Sequence, residues 1–175
     1  SFGFLLLLFF ASNGMMGVMQ SFNKSYAGFE KRSGLKTRWT AIKLTLIVMG
    51  LLLATLILLI TQGALLKWMG MESRNLISFI RILRWVLIVA LIFYIFAFIY
   101  KYGPAISKRW RLVSPGSILG ASLSILSTLG FSILVNDFGR YNALYGSIGS
   151  VIVFMIVIYI NSLVLLIGYE LNASI

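Results

Sequence analysis

The chain has no cysteine and no histidine, two prolines, and four acidic residues in 175. The missing cysteines exclude a disulfide framework and thiolate chemistry. Without histidine, the usual acid/base at neutral pH and the commonest metal ligand are gone. The four acids, Glu30, Glu72, Asp137 and Glu170, are widely separated in sequence. A two-metal hydrolytic centre gathers several carboxylates or imidazoles around one point. No Gly-Lys-Ser/Thr phosphate loop occurs. The residues thus offer no catalytic, cofactor-binding or metal-binding set, and the expectation is a protein that is not an enzyme and carries no cofactor.

What is present is apolar. Hydrophobic residues make up 60% of the chain and charged residues 11%, with a mean hydropathy of +0.99. Water-soluble domains run at about a quarter charged. So much apolar surface exceeds what one small core can bury, which makes lipid the solvent for much of the chain. The expected fold class is an all-α integral membrane protein, a helical bundle with surface amphipathic helices. The fifteen Lys and Arg residues give a net charge of +11. They flank apolar runs, the pattern of basic cytoplasmic loops held near anionic headgroups. The partners expected are therefore membrane lipids and not nucleic acid.

The spans fall at approximately 1–11, 41–62, 84–102, 116–135 and 148–170. The first is only about half a bilayer crossing at ~1.5 Å per residue. It is read as the end of an earlier transmembrane helix, making 1–175 one transmembrane domain at the C-terminal end of a longer protein. A short buried hairpin arm is the alternative. Gly103-Pro104 stops the third span and Pro115-Gly116 opens the fourth. Between spans, Met15, Met19, Phe22, Tyr26 and Phe29 recur at helical spacing. They form either an amphipathic helix on the membrane surface or a stripe packed on the bundle. Leu76, Ile77, Phe79, Ile80 and Leu83, beside Arg74, Arg81 and Arg84, form a second such piece.

If the spans alternate, the segments 12–43 and 101–115 share one face and carry ten basic residues against five on the other. The richer face is expected in the cytoplasm, together with the C-terminus.

Two constellations stand out in the last two spans. Gly116, Gly120, Ser124, Thr128 and Ser132 recur every four residues. Such a ridge of small side chains lets another helix approach closely. Gly116, Gly120 and Ser132 are assigned to packing, and the hydroxyls of Ser124 and Thr128 are read either as packing too or as lining a polar groove for a headgroup. Asn161, Gly168 and Asn172 share a face of the last span. An amide at mid-membrane needs a partner, because an unpaired one costs several kcal/mol. Glu170, near the cytoplasmic end, either pairs with Lys108, Arg109 and Arg111 or marks an ion path. The candidate groove thus comprises Ser124, Thr128, Asn161, Glu170 and Asn172. The stretch 136–147 between these spans is short, aromatic and rich in turn formers, and is expected to be a loop.

Three stretches carry a family resemblance: SNGMMGVMQSFNKSYAGFEKRSGLKTRW, YKYGPAISKRWRLVSPGSILGAS and GFSILVNDFGRYNALYGSIGSVIVFMIVIYINSLVLLIGYELNA. They resemble the YihY / virulence factor BrkB family of bacterial inner-membrane proteins over nearly the whole chain. The match is most specific in YNALYGSIG and LLIGYELNA. It departs at Ser117, where the family more usually has Ala, and at Ile158, where it commonly has Trp. The resemblance implies about six transmembrane helices and a bacterial inner-membrane location. It marks Asn142, Tyr145, Gly146, Gly168, Glu170 and Asn172. It implies transport or handling of lipid-like molecules, the activity suggested for the family. The ribonuclease label its members long carried is regarded as mistaken.

Residues and resemblance together lead to transport or handling of an amphiphilic substrate. The alternative is a non-catalytic subunit of a larger membrane complex, with the small-residue ridge docking a second copy or other membrane subunits.

Overall fold

Hydrocarbon offers no water to backbone N–H and C=O groups, so a spanning chain satisfies them within its own segment as helix. The computed structural model describes residues 2–24, 33–61, 74–106, 109–138 and 142–175, with side chains for 2–23, 33–61, 78–106, 109–133 and 151–175. Among the described residues there are five helices and no strand. They are α1 (Phe2–Lys24), α2 (Gly34–Ile60), α3 (Arg74–Tyr102), α4 (Pro115–Phe138) and α5 (Asn142–Ser174). Each holds a stretch long and apolar enough to cross a membrane.

The helices outrun the sequence expectations, for identifiable reasons. The first does not stop near Ala11 but continues to Lys24. Its serines turn back on the helix instead of ending it: Ser12 Oγ donates to the Phe9 carbonyl at 2.8 Å and Ser21 Oγ to that of Gly17 at 3.0 Å. On the same helix Met19 and Phe22 are fully buried. The Met15–Phe29 stripe therefore packs on protein where it is described; Tyr26 and Phe29 lie outside the described residues. The amphipathic piece at Leu76–Leu83 is the opening of α3, which meets no glycine or proline from Arg74 to Tyr102. Likewise Asn136 to Phe138 belong to α4, and Asn142 to Ser147 to α5. The expected loop at 136–147 is thus helical at 136–138 and 142–147, with no proline to stop either helix, and residues 139–141 lie outside the described residues.

The chain divides into two compact units, Ser1–Leu112 and Val113–Ile175. In the first, α1 packs on α2 and α2 on α3. Helix α2 buries Ala41, Leu44, Thr45 and Thr55. The two threonines return their hydroxyls to the carbonyls of Ala41 and Leu51, each at 2.8 Å, so neither polar group is left unpaired in the span. At the far end of α3 the Tyr100 ring packs near Phe22 and Phe96, with centroids at 6.2 and 6.0 Å. The turn after α3 needs its glycine. A Cβ on Gly103 would lie 2.5 Å from the Ile99 carbonyl oxygen and 3.2 Å from the Phe22 ring. Just beyond, the Ala105 N–H donates to Asn23 Oδ1 at 3.1 Å and ties this turn to the end of α1. Arg84 stands apart from this pattern, with Nε and Nη1 buried and without a hydrogen-bond partner among the described residues.

In the second unit α4 packs on α5. Gly116 meets Asn172, and Ser124 meets Asn161. One position rises along the chain as the other falls, so the pair is antiparallel.

Outward surfaces are greasy throughout. Leu52, Leu53, Leu56 and Ile57 of α2 and Phe154, Met155 and Tyr159 of α5 are all exposed. Exposed apolar area on this scale is stable against lipid, not water. The chain is an all-α, multi-pass membrane protein.

Candidate functional site

The α4–α5 pair holds the polar residues singled out in the sequence. Its first turn is shaped by capping. Ser114 is the N-cap of α4 and Pro115 fills the first helical position, where its missing N–H costs nothing. The Ser117 N–H donates to Ser114 Oγ at 3.2 Å, and the Ser114 N–H donates to Ser117 Oγ at 2.9 Å. This is a capping box with serine in the place usually held by Glu or Gln. Ser117 thus has a structural task.

Asn172 of α5 reaches into this cap. Its Oδ1 accepts from the Gly116 N–H at 2.8 Å, and its Nδ2 donates to Ser114 Oγ at 2.9 Å. The contact demands small residues. A Cβ on Gly116 would collide with the Gly168 carbonyl oxygen and fall 2.5 Å from Asn172 Cγ. Gly168 and Asn172, together with Tyr169 one residue beyond Gly168, are buried.

About 12 Å deeper, at ~1.5 Å per residue, Ser124 Oγ donates to Asn161 Oδ1 at 2.5 Å. Asn161 Nδ2 donates to the Val157 carbonyl at 3.0 Å. Ser124 is buried and Asn161 half-buried. An Asn side chain has two N–H donors and two acceptor positions. Asn161 spends one of each on these bonds, and among the described residues no hydrogen bond takes up the other N–H or the second acceptor position.

The small-residue ridge does not stay in the interface. Gly116, Gly120 and Ser124 are buried, while Thr128 and Ser132 are exposed. A four-residue repeat advances ~40° too far per step on a helix of ~100° per residue, so the ridge turns out of the contact after its third member. Ser124 therefore serves the pair, and Thr128 faces the surroundings. Glu170 is exposed, on the side of α5 away from Asn172. Of its expected partners Lys108, Arg109 and Arg111, Lys108 lies outside the described residues and the two arginines are exposed. Asn142, Tyr145 and Gly146 lie in the first turns of α5, and their side chains are outside the described set. Among the described residues no three His, Cys, Asp or Glu come together in a way that holds a metal ion.

The sequence reading missed the Ser114–Ser117 box, although Ser-Pro-Gly-Ser is a visible helix start. It also missed a contact in the first unit, where Arg38 Nη1 donates to Asn13 Oδ1 at 2.6 Å.

Comparison with known proteins gives a consistent picture. The family described as "Virulence factor BrkB" matches residues 1–175. A "Putative ribonuclease-like protein YfkH" of Bacillus subtilis (strain 168) is 32% identical over 99% of this chain, which covers 64% of that relative. A "UPF0761 membrane protein" of Tolumonas auensis is 34% identical over 43% of the chain and 25% of its own length. Another of that name from Chromohalobacter salexigens is 27% identical over 98% of the chain and 41% of its own length. The chain thus spans less than two thirds of these relatives. No solved structure matches.

Proposed function

From a chain that belongs to the virulence factor BrkB family, we propose a protein that moves or holds a lipid-like, amphiphilic molecule in the bacterial cytoplasmic membrane, with its C-terminus on the cytoplasmic side. The observation that carries this reading is the Ser124–Asn161 pair. In support of it, Asn161 lies half-buried near the middle of its apolar helix, with a donor and an acceptor unspent among the described residues, and the exposed Thr128 follows one turn after Ser124 on α4. A polar group at that depth is costly unless something polar meets it. A headgroup carried past it would do so, while the acyl chains stayed in contact with the apolar outer faces. The basic residues of the cytoplasmic side would draw anionic headgroups toward the entrance. The reading involves no catalytic step, in keeping with four widely separated acids and no histidine.

The full-length protein, purified in mild detergent and extracted with organic solvent, tests this by mass spectrometry. An amphiphile retained by wild type and lost from Asn161→Leu, at equal yield of folded protein, supports the reading. The same lipid complement in both contradicts it. Stoichiometric recovery of another membrane subunit with wild type and variant alike would favour an accessory role instead.

A further inference from the structure

The basic residues of α2 divide by face. Lys36, Trp39 and Lys43 follow at spacings of three and four, and all are exposed; Lys43 Nζ lies 5.3 Å from the Trp39 ring centroid. Arg38 lies on another side, with Ala41 and Thr45 three and seven residues on, and both of these are buried. It therefore turns toward α1. There its Nη1 donates to Asn13 Oδ1 at 2.6 Å, and its Cζ lies 4.4 Å from the centroid of the Phe9 ring, one turn before Asn13.

Both partners hold the guanidinium and neither neutralises it. A guanidinium has five N–H donors in a planar fork suited to phosphate and carboxylate. One is spent on Asn13, the side chain is only half-buried, and no other hydrogen bond occupies the remaining donors among the described residues. The surface of α1 beyond Asn13 is open. Gly17, one turn beyond Asn13 on α1, is exposed, with nothing among the described residues within 4 Å of where a side chain would begin.

Depth selects the ligand. Leu44 to Ile60 carries no charge and runs about 25 Å at the usual helical rise, close to a full hydrocarbon crossing. The Arg38 backbone lies ~9 Å before it, on the headgroup side of the apolar run of α2. The anion present at that depth in every leaflet is the lipid phosphate. We propose that Arg38, oriented by Asn13 and Phe9, binds the phosphate of an anionic phospholipid at the membrane surface. The site is built from α1 and α2 and does not depend on whether α4 and α5 handle a lipid.

The test uses the full-length protein in neutral detergent, with native mass spectrometry of complexes with added phosphatidylglycerol, and inorganic phosphate at matched ionic strength as the second probe. Arg38→Gln is expected to bind phosphatidylglycerol about tenfold more weakly, the loss of a charge-assisted contact. Lys36→Gln/Lys43→Gln is expected to change it far less. Asn13→Asp separates binding from folding: the new carboxylate pairs with Arg38, so heat stability is kept or raised while phosphatidylglycerol binding falls as in Arg38→Gln. If Arg38→Gln does not accumulate, Asn13→Asp alone decides. Wild-type binding of phosphatidylglycerol by Asn13→Asp overturns the proposal, as does an equal loss in the double lysine variant. Arg38-dependent binding of inorganic phosphate, with phosphatidylglycerol unaffected, would assign a free anion and overturn the lipid assignment.

Discussion

Gly116 gives its backbone N–H to Asn172 Oδ1 at 2.8 Å, across a contact too close for any side chain at position 116. One atom pair thus fixes the register of α4 on α5. In lipid, where helices gain nothing by hiding apolar surface from water, such close packing and interhelical hydrogen bonds are what hold them together.

Gly116→Ala should therefore destabilise the protein by about 1–3 kcal/mol or more, the usual cost of overpacking. Gly130, on the same helix, has open space around it. Gly130→Ala should be neutral or stabilising by up to about 1 kcal/mol through helix propensity. Thermal unfolding of both variants in detergent, followed by size-exclusion chromatography, separates these outcomes. Equal behaviour of the two would mean that the contact is not formed.

Asn172→Leu removes two hydrogen bonds and leaves the Gly116 N–H buried without a partner. A loss of about 1–3 kcal/mol is expected. Asn172→Asp keeps the acceptor for Gly116 but loses the donor to Ser114, and should fall between wild type and leucine.

The Ser124–Asn161 bond should show a modest coupling. Membrane double-mutant cycles average about 0.6 kcal/mol and reach about 1.7 kcal/mol. Ser124→Ala, Asn161→Leu and the double variant, compared by unfolding in detergent, should yield a coupling in that range. A coupling near zero would remove the link between the two side chains.

Arg84 offers a contrasting case. Two of its nitrogens are buried without a hydrogen-bond partner among the described residues, and its Cζ lies 5.6 Å from the Trp85 ring centroid. Replacing a buried polar group that lacks partners with an apolar one of similar shape is neutral or stabilising. Arg84→Met should keep or raise the melting temperature, whereas a clear fall would mean that the guanidinium has a partner in the membrane.

Orientation is open to a clean experiment because the chain has no cysteine of its own. Ala143→Cys should react with an impermeant maleimide added to intact cells. Ser174→Cys should react only after the membrane is opened. The reverse pattern would invert the topology.

The membrane fold was legible in the sequence because apolar runs of spanning length leave the backbone no alternative to helix. Helix ends were less so. Ser12 looks like a stop, yet its hydroxyl turns to the Phe9 carbonyl and the helix runs on. The shared face of Asn161 and Asn172 followed from spacing alone, and both side chains do reach α4. The ridge from Gly116 to Ser132 was legible as a pattern but not in its extent, because the slow rotation of a four-residue repeat decides which members stay in contact. Asn13–Arg38 was not legible, since its partners stand far apart in sequence and on different helices.

The most direct test of the proposed function is lipid movement by the full-length protein in proteoliposomes. A fluorescent phospholipid analogue in the inner leaflet is followed by its accessibility to an impermeant quencher. Wild type should speed its appearance outside well above that of empty liposomes, and Asn161→Leu, inserted at equal density, should not. If wild-type vesicles are no faster than empty ones, or the variant is as fast as wild type, lipid handling by this helix pair is contradicted.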